Sequence, residues 1–400
     1  MTAARPFVML GLIAVVELLG MAAWFAGGAV GPELAARFGV GSVEVAWLTS
    51  AVQLGFVAGT LAAAVLNLPD VVPSRWYVAT AAGAAAAVNL VLLIVPDYRL
   101  AVGNRFLLGV CLAGVYPPAM KMAATWFASR RGFAIGVVVG ALTVGKAAPY
   151  LVEALGGLAM PVVIWSTSLA ATLAAVVVAL GYRDGPHAFP RRPFSWRLAG
   201  EVVRVRPLRL ATAGYLGHMW ELYAFWTFVP AYWAASRRAA GAAESPELVA
   251  LLAFASIAVG ALGCVWGGLA ADRIGRERVV IRALAASGAA AVLSAAAFGR
   301  PTVIGLVVIL VWGVAVIADS AQFSALVTEF APPHAVGTAL TLQTSLGFLL
   351  TMVSIQTVAA AGGPATSWAF PMLAIGPAAG LVAIQTLVRW RRVARPAAAA

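Results

Sequence analysis

Lys121 and Lys146 are the only lysines of the chain, and both sit inside long apolar stretches; the remaining basic residues are arginines, nearly all of them between such stretches. An unpaired ammonium at the centre of a bilayer costs about 3 kcal/mol or more. Three acids, Glu17, Glu221 and Asp319, lie inside apolar stretches as well. Cations and carboxylates placed together at such depth can bind a charged solute and carry protons.

Several neighbours add to this chemistry. His218 stands three residues before Glu221, so the two share a helix face, a pairing suited to proton exchange near neutral pH. Thr143, Lys146, Tyr150 and Glu153 follow i, i+3, i+7, i+10 spacing and form one stripe. Lys146 can hold a substrate carboxylate, or alternate between substrate and Glu17 or Asp319; the competing reading is a permanent salt bridge between helices. Lys121 follows Pro117-Pro118, which kinks a helix and frees carbonyls. It either meets substrate or snorkels its ammonium toward the headgroups. Trp220, Tyr223 and Trp226 suit the walls of a substrate site, or contacts to lipid and neighbouring helices. Gln322 shares a face with Asp319, and Gln343 and Gln356 can bind substrate or join helices.

The elements that must position these groups follow from composition. The chain is 62% hydrophobic and 10% charged, against about 25% charged in soluble domains. Apolar stretches cover 7–30, 45–68, 76–95, 101–127, 132–154, 159–182, 208–235, 248–271, 279–298, 302–328, 336–360 and 365–390. Each reaches the length of about 20 residues that a membrane helix needs, and none shows the two-residue alternation of a barrel strand. The expected fold is an all-α integral membrane protein of twelve transmembrane helices. The first stretch is expected to stay as a helix, since it carries Glu17 and lacks a clear cleavage site. Counted at 1.5 Å per residue, the five buried charges lie near mid-depth, with Lys121 and Asp319 somewhat nearer one surface.

Charge placement sets the topology. With both termini cytoplasmic, the inner loops hold Arg5, Arg75, Arg130, Arg131, Arg183, the arginines of 191–209, those of 273–282 and those of 389–395. The outer loops hold only Arg37, Arg99, Arg237, Arg238 and Arg300, with Arg105 undecided at a helix start. The positive-inside rule selects this orientation. The net charge of +12 therefore marks topology and contact with anionic headgroups of a cell (inner) membrane, and no nucleic-acid partner is expected. Cys111 and Cys264 read as small core residues with no disulfide.

A hydrophilic run at 183–207 divides the chain into an amino-terminal bundle, 1–182, and a carboxy-terminal bundle, 208–400. Its second part, Phe194 to Arg206, is either a short headgroup helix or a solvated linker. Three anchors recur at nearly one offset: Glu17 with Glu221, Asp70 with Asp272, and Gly132-Phe133-Ala134 with Gly337-Thr338-Ala339. Together they argue for two pseudo-symmetric six-helix bundles. Gly136-x3-Gly140 and Gly263-x3-Gly267 suit close helix packing in lipid.

The loop after the eighth stretch reads Gly268-Leu269-Ala270-Ala271-Asp272-Arg273-Ile274-Gly275-Arg276. This resembles the cytoplasmic signature loop of the major facilitator superfamily, and Arg105-x3-Gly109-x4-Gly114 is similar to that superfamily's fourth-helix signature. The resemblance implies the major facilitator fold, with a central cavity lined by the first, fourth, seventh and tenth helices. Those helices carry Glu17, Lys121, Glu221 and Asp319. The earlier copy of the loop keeps Asp70, but a proline replaces the turn glycine and the following arginine is missing. Gating is therefore expected mainly at Asp272, Arg273, Gly275 and Arg276, with Gly268 and Asp70 in support.

The expected function is secondary, proton-coupled transport of a small anionic solute by alternating access, through Glu17, His218, Glu221 and Asp319 for protons. Proton-driven efflux of amphiphilic drugs is the alternative. Gly136, Gly140, Gly145 and Pro149 match the superfamily's drug-antiporter signature only in part, and Lys146 interrupts it with a positive charge. No Gly-x4-Gly-Lys-Ser/Thr loop is present, so ATP drive within the chain is not expected. The three histidines, His187, His218 and His334, are scattered and give no metal spacing; no cofactor, metal or enzyme activity is expected. A monomer is expected.

Overall fold

The computed structural model describes residues 4–127, 130–156, 159–187, 194–363 and 367–397. All regular structure in them is helical. The first pass is α1 (Ala4–Gly20), which loosens over Met21–Phe25 and resumes as α2 (Ala26–Ala29) and α3 (Gly31–Phe38). The second is α4 (Ser42–Val65), followed by the single turn α5 (Leu68–Val71) and the third pass, α6 (Ser74–Val91). The fourth consists of α7 (Tyr98–Leu112) and α8 (Tyr116–Trp126), the fifth of α9 (Arg131–Ala154) and the sixth of α10 (Met160–Gly181). A linker helix, α11 (Trp196–Arg204), precedes α12 (Arg206–Ala239). Then come α13 (Pro246–Ala258) with α14 (Gly260–Ile274), α15 (Arg276–Ala297), α16 (Thr302–Ala318) with α17 (Ser320–Phe330), and α18 (Val336–Ala360). A 3-10 turn at Pro371–Ala374 runs into α19 (Ile375–Ala397).

Among the described residues, nine of these passes are long and apolar enough to cross a membrane on length and composition alone. The other three fall short for visible reasons. The helix α1 has 17 residues before its chain loosens, α6 is rich in alanine, and α12 carries His218, Glu221 and several arginines within its 34 residues. Exposed apolar side chains run along single faces, as Trp165, Leu169, Leu173, Val176 and Leu180 do on α10. A helix face of that kind suits acyl chains, whereas water would favour covering it.

Packing repeats between the two sets of six. In the first, α1 packs on α9 and α10, α4 on α7, and α6 on α10; in the second, α12 packs on α18 and α19, α14 on α16, and α15 on α19. The sets meet where α4 lies against α18 and where α9 lies against α13 and α14. The α9–α14 seam is built from small residues. A Cβ on Gly136 would stand 2.7 Å from the Cys264 carbonyl oxygen, and one on Gly268 2.6 Å from that of Gly132. Such contacts let two backbones touch and replace the hydrophobic effect that lipid withholds. Because α9 starts and α14 ends at the face where α1 begins, the seam closes that terminal face between the sets.

The linker resolves in favour of a helix: α11 buries Val202, exposes Trp196 and Val203, and packs on α18. The part of the linker at 188–193, with Arg191 and Arg192, lies outside the described residues.

Candidate functional site

Helix breaks gather where charges lie. The first pass loosens just after Glu17, the fourth opens between α7 and α8 before Pro117, and the tenth breaks at Asp319 itself, between α16 and α17. Broken helices at mid-depth expose backbone polar groups and are tolerated where they line a cavity or protein interior.

Lys146 is fully buried on α9. Its ammonium donates to the Tyr223 hydroxyl on α12 and so joins the two sets of helices. It also lies 3.6 Å from the Trp24 ring centroid, 4.6 Å from that of Tyr223 and 5.7 Å from that of Trp226. Cation–π attraction of this kind is worth about 2 kcal/mol or more when desolvated. No carboxylate of the described residues reaches it at ion-pair distance. The permanent salt bridge considered for Lys146 is therefore not formed. Glu17 interacts with it electrostatically at longer range, and both Glu17 oxygens are buried without a hydrogen-bond partner. The close approach of the two helices depends on Gly145, where a Cβ would stand 2.2 Å from the Leu18 carbonyl oxygen.

Aromatic rings from five passes surround this point. Trp24 packs against Phe56, Tyr223 and Phe348 at centroid distances of 5.2, 5.8 and 6.0 Å, and Phe56 meets Phe348 at 4.5 Å and Tyr116 at 6.4 Å. The indole N–H groups of Trp24 and Trp226 are buried and unpaired, as are the Gln53 amide and Gln343 Nε2. Buried polar groups ordinarily find partners; these four side chains have donors with none among the described residues.

A cavity of about 570 Å³ opens from the face opposite the termini. Thr49, Tyr150, Thr227 and Phe228 line it among the small residues of α2 and the ends of α9 and α12. Tyr150 is buried one turn from Lys146, so the expected stripe of Tyr150 and Lys146 runs from the cavity floor to the aromatic cluster. Thr143 continues it, bonding the Val139 carbonyl with its hydroxyl.

A second charged cluster lies among α12, α15, α16 and α17. His218 Nδ1 stands 2.9 Å from Asp319 Oδ1, at an angle that does not meet hydrogen-bond geometry. Glu221 accepts from the Ser287 hydroxyl at 2.6 Å and from Trp312 Nε1 at 3.1 Å. The spacing of His218 and Glu221 suggested that they pair with each other; instead each reaches across to another helix. Gln322 donates to the Gly267 carbonyl at 3.3 Å and joins helices. Trp220 takes the helix-contact alternative, packing beside Gly376 on α19.

Lys121 does not join the central cluster. Its ammonium binds the Pro69 carbonyl and Asp70 Oδ1, the latter at 2.6 Å, on the terminal face. The long side chain follows the snorkelling course, and its charge meets the acid of the first signature loop. In the second loop, Gly275 has φ +89° at the α14–α15 turn, a conformation that favours glycine. The first loop reverses instead through Asn67 at φ +58°, which is why Pro73 can stand where glycine was expected. Asp272 points at the start of α9, its Oδ1 3.7 Å from where a Cβ on Gly132 would lie. Arg276 pairs with Glu329 at 3.0 Å rather than with Asp272, and Arg391 binds both Glu277 and Glu329. Arg273 is exposed.

One feature was not picked out from the sequence, and a second was recognised only as part of a signature. Trp24, Phe56 and Phe348 complete the aromatic cluster, yet a lone aromatic in an apolar helix carries no distinguishing mark. Arg105, left undecided above, is fully buried. It donates to Asn89 Oδ1 at 2.9 Å and to Asn104 Oδ1 at 2.6 and 3.1 Å, and Asn89 is itself held by Thr167 and Ser168. Two asparagines in apolar stretches were the available signal.

The family model described as Major Facilitator Superfamily matches residues 12–355. No curated protein matches the chain. Among solved structures, the crystal structure of a point mutant of the nucleoside transporter NupG is similar, with a TM-score of 0.71 and 13% identity, covering 95% of this chain and 99% of that one. With the match spanning most of the sequence and the same fold over nearly all of it, the chain belongs to the major facilitator superfamily, and is a multi-pass membrane transporter rather than an enzyme.

Proposed function

We propose that the protein is a proton-coupled secondary transporter of small organic anions, with Lys146 as the countercharge for the substrate. One observation carries this reading: a buried ammonium at the meeting of both helix sets has only neutral partners. The free groups beside it, the Trp24 and Trp226 N–H, are donors that suit acceptor oxygens. An amphiphilic cation would meet a cage already holding a cation, which disfavours drug efflux.

In this reading the halves 1–182 and 208–400 rock about the central site, and the terminal face is cytoplasmic, so the cavity opens outward. The α9–α14 seam and the Lys121–Asp70 pair would then hold the inner side shut. Glu17 is the leading proton carrier, because its oxygens have no partner to lose and Lys146 senses its charge. His218 and Asp319 form a second candidate; Glu221, held by two donors, serves them from behind. The cell membrane is the expected location and the monomer the expected working unit.

A second reading is a neutral planar heterocycle such as a nucleoside, the solute for which the structurally similar transporter is named. The unpaired amides of Gln53 and Gln343 favour it. Uptake into proteoliposomes across an imposed pH gradient, with a panel of organic anions, nucleosides and cationic dyes, separates the readings. Gradient-driven anion uptake that Lys146→Ala removes is the expected result. Uptake of dyes or nucleosides alone overturns it.

A further inference from the structure

We infer that the anion bound at Lys146 is a planar aromatic one, an aryl carboxylate or a close relative. The inference rests on the anion reading above and adds the shape of the rest of the molecule.

Lys146 lies against ring faces. Trp24 lies against its ammonium and packs on the rings of Phe56 and Phe348, and Tyr223 touches Trp24 at 5.8 Å and Phe348 at 5.2 Å. These rings come from four different passes, two from each helix set. They fill the region below the cavity floor, so a solute on its way through must part them and take over their contacts. An aliphatic solute would replace ring-on-ring contacts with poorer ones. A flat aromatic solute restores them, because offset-stacked and edge-to-face pairs add to affinity beyond the area they bury.

The polar end fits the same orientation. The Tyr223 hydroxyl holds the place at Lys146 that a substrate oxygen would take. The Trp24 N–H, buried and without an acceptor, is a spare donor on that cage for a second oxygen. A carboxylate on an aromatic ring places two acceptors at one end and a flat apolar face at the other. Tyr223 thereby acts as an internal stand-in: its phenol has the size, flatness and oxygen of the proposed solute. Binding then exchanges one ring and oxygen for another, and in doing so breaks the Lys146–Tyr223 link between the helix sets.

The test compares benzoate with cyclohexanecarboxylate, two carboxylates of similar size that differ in flatness and π character. Binding of each to the purified full-length protein is followed by isothermal titration calorimetry at fixed pH. Benzoate is expected to bind about tenfold tighter, a difference of about 1.4 kcal/mol. In Trp24→Leu both carboxylates lose a donor and weaken, and the ratio between them is expected to fall toward one. Equal affinities in the unaltered protein overturn the aromatic inference and leave the anion reading standing. If neither carboxylate binds, the anion reading falls and this inference with it. The comparison on the unaltered protein needs no variant to fold.

Discussion

Tyr223→Phe removes one hydroxyl and keeps the ring. The lost group accepts from the buried Lys146 ammonium and is the polar contact that ties α9 to α12. A hydrogen bond to a charged group contributes about 1.5–3 kcal/mol. The ring faces of Trp24, Tyr223 and Trp226 remain, so the ammonium keeps its cation–π attraction. If the bond belongs to the outward-open arrangement alone, its loss shifts the ratio of the two arrangements by about tenfold to a hundredfold toward the other, at 1.4 kcal/mol per tenfold. A cysteine in the cavity reports that ratio. Ala231 is exposed and lines the cavity, so Ala231→Cys, with Cys111→Ser and Cys264→Ala, gives a single reactive thiol. From a population near balance, the outward-open fraction, and with it the rate of maleimide labelling of the solubilised protein, is expected to fall about fivefold or more when Tyr223→Phe is added. An unchanged rate would refute the reasoning, because it would mean that the Lys146–Tyr223 contact does not distinguish one arrangement from the other.

Other outcomes follow from the same geometry. Glu17→Gln should leave the melting temperature nearly unchanged, since neither oxygen loses a partner, while abolishing concentration of solute by a pH gradient. Glu221→Gln keeps an acceptor for Trp312 and turns a donor to the Ser287 hydroxyl, which can accept it while donating to the Leu284 carbonyl, so it should cost about 1 kcal/mol or less in stability. Its coupling should persist; a Glu221→Gln protein of normal stability that no longer couples would reverse the two assignments. Gly145→Ala pushes a methyl into the Leu18 carbonyl and should destabilise by about 1–3 kcal/mol in thermal unfolding, whereas Gly11→Ala, with open space around it, should not.

The membrane fold was legible because lipid imposes length and apolarity on every pass; of the three passes that fall short, the first breaks after Glu17, the seventh bears His218 and Glu221, and the third is rich in alanine. Lys146 and Glu17 stood out because charge is costly among apolar residues. The partners were less legible. His218 and Glu221 share a helix face, yet contacts from α15, α16 and α17 outcompeted that spacing, as tertiary packing overrides local periodicity. The loosening at Met21–Phe25 has no proline to mark it, but Gly20 stands where α1 ends and Gly27-Gly28 follow, residues that weaken a helix. Lys121 could reach either way along its flexible stem; Asp70 decided it. The signature loop in the second half was readable at Gly275, whose φ requires glycine, while the first-half loop turns at Asn67, a residue that tolerates the same region.

Lys146 is the residue on which anion transport most directly depends. Currents from proteoliposomes on a solid-supported membrane, evoked by organic anions under a pH gradient, compare the unaltered protein with Lys146→Ala at matched melting temperature. The expected result is an anion-evoked, gradient-dependent current in the former and none in the latter. Equal anion currents from both proteins would contradict it.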